Sequence, residues 1–538
     1  MARVKSVGSL SLILVMLISL SAGGVSVNAQ EEVEQPVRQT EIILDFTRYE
    51  WWLIRWTDNL TVCQLFIEHE GLPTGEEVLI QCGQAVYDTW RTTPPCKAIE
   101  KGKPTTYCLG LYTYFAGYQS GQRSMLVDLP LPTVWITIEG CDLSPPENFC
   151  RQRPSLVFTG EEPLPNEKII RLHIRIDETE YLCEGDICQI PLSSTPLAGA
   201  QVEFWAESSF GDTSEHFTAL VRIIESGVAP ASLEGWYVDI ISSQWRGGPI
   251  ESCAQVWQAF PPPGGPPSWL ATPSAEVLLA TDQPYQYLAG RLIFQGLVNA
   301  SECPNNGLLE NGYADACGLE KARSMVSLWQ NQFDDQILRV AKETGLPAQI
   351  LKNLFAQESQ FWPGTFRVAH ENGLGQLTDL GADTLLLWNP SFFNQFCPLV
   401  LADETCVRGY LKLGEEERAI LRGALANQAN ADCPECPAGV DLSDADFSVH
   451  LFAQGILANC GQVGQTIANA TLLSPGAVSS YEDLWRFTLA NYNGGPGCLA
   501  YAIHTTWALR EPLDWEHVST HFTQPCQGVI GYVNLIAR

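Results

Sequence analysis

In Leu346-Pro-Ala-Gln-Ile-Leu-Lys-Asn-Leu-Phe-Ala-Gln-Glu-Ser359 the apolar residues fall at Ile350, Leu351, Leu354 and Phe355, the spacing of one stripe along a helix of period 3.6. Pro347 stands where a first helical turn tolerates it. Just upstream, Phe333, Ile337, Val340 and Ala341 share the face of another helix, which Gly345 ends. The chain beyond Cys317 is therefore expected to be mainly α-helical. One further helical step along the second stripe lands on Glu358. A carboxylate on an apolar face is costly unless it is paired or protonated. Its pKa is expected to rise toward the value a general acid needs, unless the helix end turns outward and leaves Glu358 solvated.

Upstream of residue 230 the period is two. Thr133-Val-Trp-Ile-Thr-Ile138, Leu172-His-Ile-Arg-Ile176 and Val202-Glu-Phe-Trp-Ala206 alternate apolar and polar residues between turns rich in Pro, Gly and Asp, the pattern of strands with one face packed and one wet. The cysteines fall into two groups, Cys63 to Cys108 and Cys141 to Cys188. The chain is thus read as multidomain: N-terminal all-β, sandwich-like domains followed by a mainly α domain. The boundaries are a disulfide-braced β domain at 38–130, an Ig-like β-sandwich at 131–230, and a helical domain at 318–538 with a Cys-rich insertion near 397–460. Between them, 231–317 contains Phe260-Pro-Pro-Pro-Gly-Gly-Pro-Pro267 and reads as a Pro-rich connector, or as a small β unit with Ala275-Glu-Val-Leu-Leu-Ala280 as a strand.

Residues 1–29 have a basic start, an apolar run from Leu10 to Leu20 and a small-x-small end at Val27-Asn-Ala29, which together make a secretory signal. No later stretch is long enough to span a bilayer. All 18 cysteines lie beyond the signal, so disulfides formed inside each domain are expected, with Cys183–Cys188, Cys303–Cys317 and Cys397–Cys406 as local pairs. Cys433-Pro-Glu-Cys436 has the spacing of half a zinc site, but no second half completes it; neither metal nor other cofactor is expected. A net charge of −30 disfavours nucleic acid and anionic membrane surfaces as partners and favours a neutral or mixed-charge polymer.

The helix closing on Glu358-Ser359 resembles that of the soluble lytic transglycosylases, which ends in a Glu-Ser pair. Gly373-Leu-Gly-Gln-Leu377 is similar to their Gly-Leu-Met-Gln-Leu motif, and Ala490-Asn-Tyr-Asn-Gly-Gly-Pro-Gly497 to their Ala-Tyr-Asn-Ala-Gly segment. The three motifs stand in family order between Phe333 and Ile503. The resemblance implies a lysozyme-like domain in an exported enzyme that cuts peptidoglycan glycan strands between N-acetylmuramic acid and N-acetylglucosamine, leaving a 1,6-anhydro end. Glu358 matches the single catalytic acid, Ser359 the residue that orients the sugar, and Gln376, Tyr492 and Asn493 the residues lining the groove. Taken singly, Ser359 reads as a helix-end hydroxyl, Gln376 as a surface amide and Tyr492 as a core tyrosine.

The chain also departs from that pattern. Gly375 replaces the usual Met, Asp379 stands where the family normally has a Pro, and the Ser and Gly-Ala that usually precede the glycine motif are absent around Val368 to Asn372. The loop facing the sugar is expected to differ. Two rivals remain: a hydrolase of goose-type lysozyme character, with Glu371, Asp379 or Asp383 as the second carboxylate, and a non-catalytic cell-wall-binding protein that keeps the groove. Retention of Glu358 argues against the latter.

Overall fold

The computed structural model describes residues 37–96, 108–141, 149–225, 235–247, 252–263, 265–365 and 371–538; the expected signal lies outside them. The chain divides into two compact units, Met1–Leu129 and Pro130–Arg538.

In the first unit, β1 (Gln39–Arg55), β2 (Thr61–Ile67) and β3 (Leu111–Asp128) form an antiparallel sheet in the order β2-β1-β3. Between β2 and β3 lie two short helices, α1 (Gly75–Cys82) and α2 (Gln84–Arg91), so this unit is not the all-β domain expected from its alternation. The reason is local. Thr74 and Glu77 form a capping box that opens α1, and Val78 then packs with Leu53, Leu65 and Leu111. Cys63–Cys82 ties α1 to β2.

The second unit begins with a sandwich built from β4 (Thr133–Glu139), β5 (Phe149–Cys150), β6 (Ser155–Glu161), β7 (Ile169–Ile176), β8 (Thr179–Glu184), β9 (Ile187–Pro191), β10 (Ala200–Ser208), β11 (Phe217–Glu225) and β12 (Trp236–Ile241). One sheet runs β5-β12-β11-β10-β7-β8 and the other β4-β6-β9. Leu172, Ile174, Val202, Phe204 and Ile223 from the first share one core with Val134, Ile136, Leu156, Phe158 and Ile190 from the second, as the alternation requires. Cys183–Cys188 staples the β8–β9 turn.

The rest is helical: α3 (Ser252–Trp257), α4 (Gln286–Phe294), α5 (Ala316–Asn331), α6 (Asp334–Thr344), α7 (Ala348–Ser359), α8 (Asp379–Trp388), α9 (Pro390–Phe396), α10 (Asp403–Cys406), α11 (Glu415–Ala429), α12 (Leu442–Thr471), α13 (Pro475–Val478), α14 (Tyr481–Ala508), α15 (Trp515–Thr520) and α16 (Gly528–Ile536). One core runs through them from Cys253 to Ile536. Two expectations need correction. The stretch 231–317 is no free connector or separate β unit: Trp236–Ile241 is β12 of the sandwich, which therefore runs past residue 230, while Trp257, Trp269, Leu279, Leu288 and Leu292 are buried in the helical core and Glu276–Leu279 is a 3-10 turn rather than a strand. Helix α3 ends where Gln258 takes a left-handed φ of 54°, ahead of the Pro run, and Trp269 and Leu270, just beyond that run, are packed in the core. The Cys-rich insertion also ends earlier than residue 460, because α12 is the central helix, packed against α6, α8, α11 and α14.

All 18 cysteines are paired, among them Cys303–Cys317, Cys397–Cys406 and the adjacent Cys433–Cys436. Cys253–Cys460 joins α3 to α12 across a boundary that the sequence reading kept free of bridges. Such a framework belongs to an oxidising, extracytoplasmic compartment, and among the described residues no helix is long and apolar enough to cross a membrane. On the loop-entropy scale, replacing Cys253 and Cys460, separated by 207 residues, with Ala is expected to cost about 5 kcal/mol. Replacing Cys433 and Cys436, separated by 3, should cost about 1–2 kcal/mol. Denaturant titration monitored by tryptophan fluorescence ranks the two variants; equal losses would contradict the assignment.

Candidate active site

Helix α7 buries Ile350, Leu351, Leu354 and Phe355 completely, and its next turn carries Glu358 into a cleft of about 430 Å³. The helix stops there because Gln360 and Phe361 both take left-handed backbone angles, φ 50° and 63°. That strain is held from outside: the Gln360 side-chain oxygen accepts the Tyr287 N–H at 3.0 Å, capping α4, and Trp329 Nε1 donates to the Phe361 carbonyl at 3.0 Å. At the other end of the helix's buried side, Lys352 Nζ donates to the Gln330 carbonyl at 2.8 Å, to Asn331 Oδ1 at 2.9 Å and to Asp334.

Opposite Glu358 stands the loop Gly373–Leu377, closed by paired backbone bonds between Asn372 and Leu377. Its two glycines have separate causes. Gly373 has φ 77°, and a Cβ there would meet the Ala429 carbonyl at 2.4 Å. At Gly375 a Cβ would meet the Phe452 ring at 2.5 Å, so Phe452 occupies the room that a Met side chain would need. Ser359, expected at the sugar, is instead fully buried and donates to the Leu374 carbonyl at 2.8 Å. It fastens the end of α7 to this loop.

The third wall is α14. It bends at Gly495, φ 76°, and resumes at Pro496, a helix stop and restart within one element. Ahead of the bend, Tyr492 donates its hydroxyl to the Gly375 carbonyl at 2.5 Å, and the exposed Asn493 reaches the cleft rim. Gln376 donates from Nε2 to the Gly373 carbonyl at 2.9 Å. Glu358, Gln376, Tyr492 and Asn493 thus converge on one cleft.

Of the three second-carboxylate candidates, only Glu371 lines it. Asp379 is exposed at the start of α8. Asp383 is engaged elsewhere, accepting from Arg422 at 3.0 Å and from the Tyr410 hydroxyl.

The sequence reading missed Tyr532, whose hydroxyl donates to Glu358 Oε1. It comes from α16, where Val529, Tyr532, Val533 and Ile536 form a buried stripe. A tyrosine with a polar tip on such a stripe was the available signal. The lining also includes Asn459 and Asn491, and among the described residues it contains no Lys, Arg or His.

Without a cation, burial pushes the Glu358 pKa up to about 7; the Tyr532 hydrogen bond works against the rise and the negative charge of Glu371 adds to it. The same burial, with the Glu358 charge, holds the Tyr492 and Tyr532 hydroxyls protonated well above the ordinary tyrosine range. The cleft can therefore present one exchangeable carboxyl proton near neutrality, beside two hydroxyls that keep theirs.

No known family model, curated protein or solved structure matches the chain.

Between pH 4.5 and about 7 the folded protein keeps a proton on Glu358 that the unfolded chain has lost, so this group lowers stability as pH rises through that window. Glu358→Gln stays neutral throughout. It is expected to match the wild type at pH 4 and to exceed it at pH 8 by on the order of 1–3 kcal/mol. Thermal unfolding at both pH values measures this; a difference independent of pH would contradict a carboxyl held neutral by the fold.

Proposed function

We propose that this cleft cuts the glycan strands of peptidoglycan by lytic transglycosylation, at the bond between N-acetylmuramic acid and N-acetylglucosamine. One observation carries the reading: a carboxyl with a pKa of about 7 stands in a cleft whose described lining has no cationic side chain and gathers the residues of all three motifs. An acid of that pKa is protonated often enough near neutrality to donate, and its conjugate base is strong enough to take a proton back.

Glu358 gives its proton to the glycosidic oxygen as the bond from that oxygen to C1 of the muramic residue breaks. The carboxylate so formed takes the proton of the same sugar's C6 hydroxyl. The C6 oxygen bonds to C1, the 1,6-anhydro ring closes, and Glu358 is again protonated with no water consumed. Between the two transfers, the Tyr532 O–H stabilises the carboxylate by donating to it. Tyr492 braces the loop that carries Gln376.

Glu371 sustains a second reading. It lines the cleft and its charge acts on Glu358, so a hydrolase in which Glu371 activates water is the alternative.

Glu358→Gln is expected to lower cleavage of purified peptidoglycan by at least about 10²- to 10⁴-fold, whereas Glu371→Gln should retain most activity. Mass spectrometry should find muropeptides ending in 1,6-anhydro-N-acetylmuramic acid, lighter by one water than reducing ends. Reducing ends together with an inactive Glu371→Gln would establish the hydrolase instead. The activity of the wild type should fall as pH rises through about 7, and Tyr532→Phe, which removes the bond favouring the anion, should move that limb upward. An unmoved or lowered limb would remove Tyr532 from the proton balance.

A further inference from the structure

Tyr532 meets Glu358 only if α16 stands at one height and one rotation against α7, and apolar packing sets neither. Val529, Val533 and Ile536 are buried on the same stripe as Tyr532, but such contact is non-directional and tolerates sliding and rolling. At its start α16 is anchored through Cys526, two residues ahead of Gly528, whose bridge to Cys498 holds it to α14. One anchor of this kind fixes a point and leaves a pivot.

The second anchor is on α7 itself. Asn353 Nδ2 donates to the Ile536 carbonyl at 2.9 Å, one of the last-turn carbonyls that a helix cannot satisfy from within. The orientation of this amide is settled by its partner: a carbonyl only accepts, so the nitrogen must face it. Asn353 Oδ1 in turn accepts from Gln349 Nε2 at 2.8 Å. Gln349 lies one turn earlier on α7, and its backbone N–H is bound to the Ala271 carbonyl at 3.1 Å.

Ile536 follows Tyr532 by one helical turn, and Asn353 precedes Glu358 by five residues. The two contacts between α7 and α16 are thus about 6 Å apart along one helix and about 7.5 Å apart along the other. Two rungs so spaced fix both slide and roll. A third tie, from Trp515 Nε1 to Asn534 Oδ1 at 3.3 Å, is exposed and leads to α15, which contributes no residue to the described lining of the cleft. The titratable groups facing Glu358 are Tyr532 from α16, Tyr492 from α14 and Glu371. Asn353 is neutral and outside that lining, so it reaches Glu358 only through the placing of Tyr532.

We infer that Asn353 is a positioning residue of the site: its bond to the Ile536 carbonyl sets the height and rotation at which the Tyr532 hydroxyl is offered to Glu358. The inference rests on the reading of Glu358 as the catalytic acid and adds the residue that adjusts it from outside the cleft.

The test reads Glu358 in the full, disulfide-bonded chain with no substrate present. Carbon-13 in the glutamate carboxyls gives each a magnetic resonance signal, and the signal lost in Glu358→Gln is its own. The Tyr532 bond favours the anion, so Tyr532→Phe should raise the midpoint of that titration by about 1–2 pH units, the scale of a hydrogen bond to a charged group. Asn353→Leu, of similar volume but without the N–H, should raise it by at least about 0.5 unit. Added to Tyr532→Phe, the same change should contribute less than about 0.2 unit, because its route to Glu358 is gone.

A purely structural role would lower stability and leave the midpoint where it was, and that result overturns the inference. A shift of the same size with and without Tyr532 overturns it as well. Asn353→Ala, which opens this half-buried position to water, gives the same comparison should the leucine variant not fold. Digestion of peptidoglycan is read separately. If the shift is found and the wild type cuts no peptidoglycan, the positioning role stands and the glycan-cutting reading falls; the converse result removes Asn353 and keeps that reading.

Discussion

An ammonium group with no access to solvent fixes the helix on which the cleft is built. Lys352 is 1% exposed, and its three N–H groups are directed to the Gln330 carbonyl, to Asn331 Oδ1 and to Asp334. Burial works against both charges of the pair, lowering the Lys352 pKa and raising that of Asp334. A charge placed so deep is tolerable only with every proton satisfied. That condition admits one rotation and one axial position of α7 relative to the end of α5 and the start of α6. The register then propagates along the helix to Glu358, whose carboxyl must meet a hydroxyl arriving from α16.

The stripe that announces α7 is legible because a helix writes its buried face at a fixed period, and Glu358 falls on that face by simple continuation. The same argument stops at whatever comes to Glu358 from far along the chain. Tyr532 lies 174 residues away, in a helix whose own pattern reports only that it is buried. Ser359 was legible as a helix-end hydroxyl, but not that it would turn inward to the Leu374 carbonyl. Of three acidic residues in one neighbourhood, only packing separates them: Arg422 and Tyr410 take Asp383 away from the cleft, and nothing local in the sequence says so.

The misread stretch before α5 has a similar cause. A run of prolines breaks regular structure wherever it occurs, but breaking a helix is different from leaving the core. Trp257 and Trp269 flank that run and are both buried with the helices, and Trp257 Nε1 donates to the Cys460 carbonyl at 2.9 Å. The departures from the resembled motifs are better explained one against another. Gly375 leaves room that the Phe452 ring occupies, and Asn491 replaces a small residue with an amide held by α12. Both changes are answered by the central helix.

The Cys253–Cys460 bridge has one more consequence. Cys253 precedes the proline segment and Cys460 lies deep in α12, so the bridge spans that segment like a hasp. A protease that severed the chain at Pro262 would free neither half, because the sandwich and the helices would still hang together through sulfur. Shedding one from the other would take two separate chemistries, hydrolysis and reduction, and surroundings that oxidise thiols supply only the first.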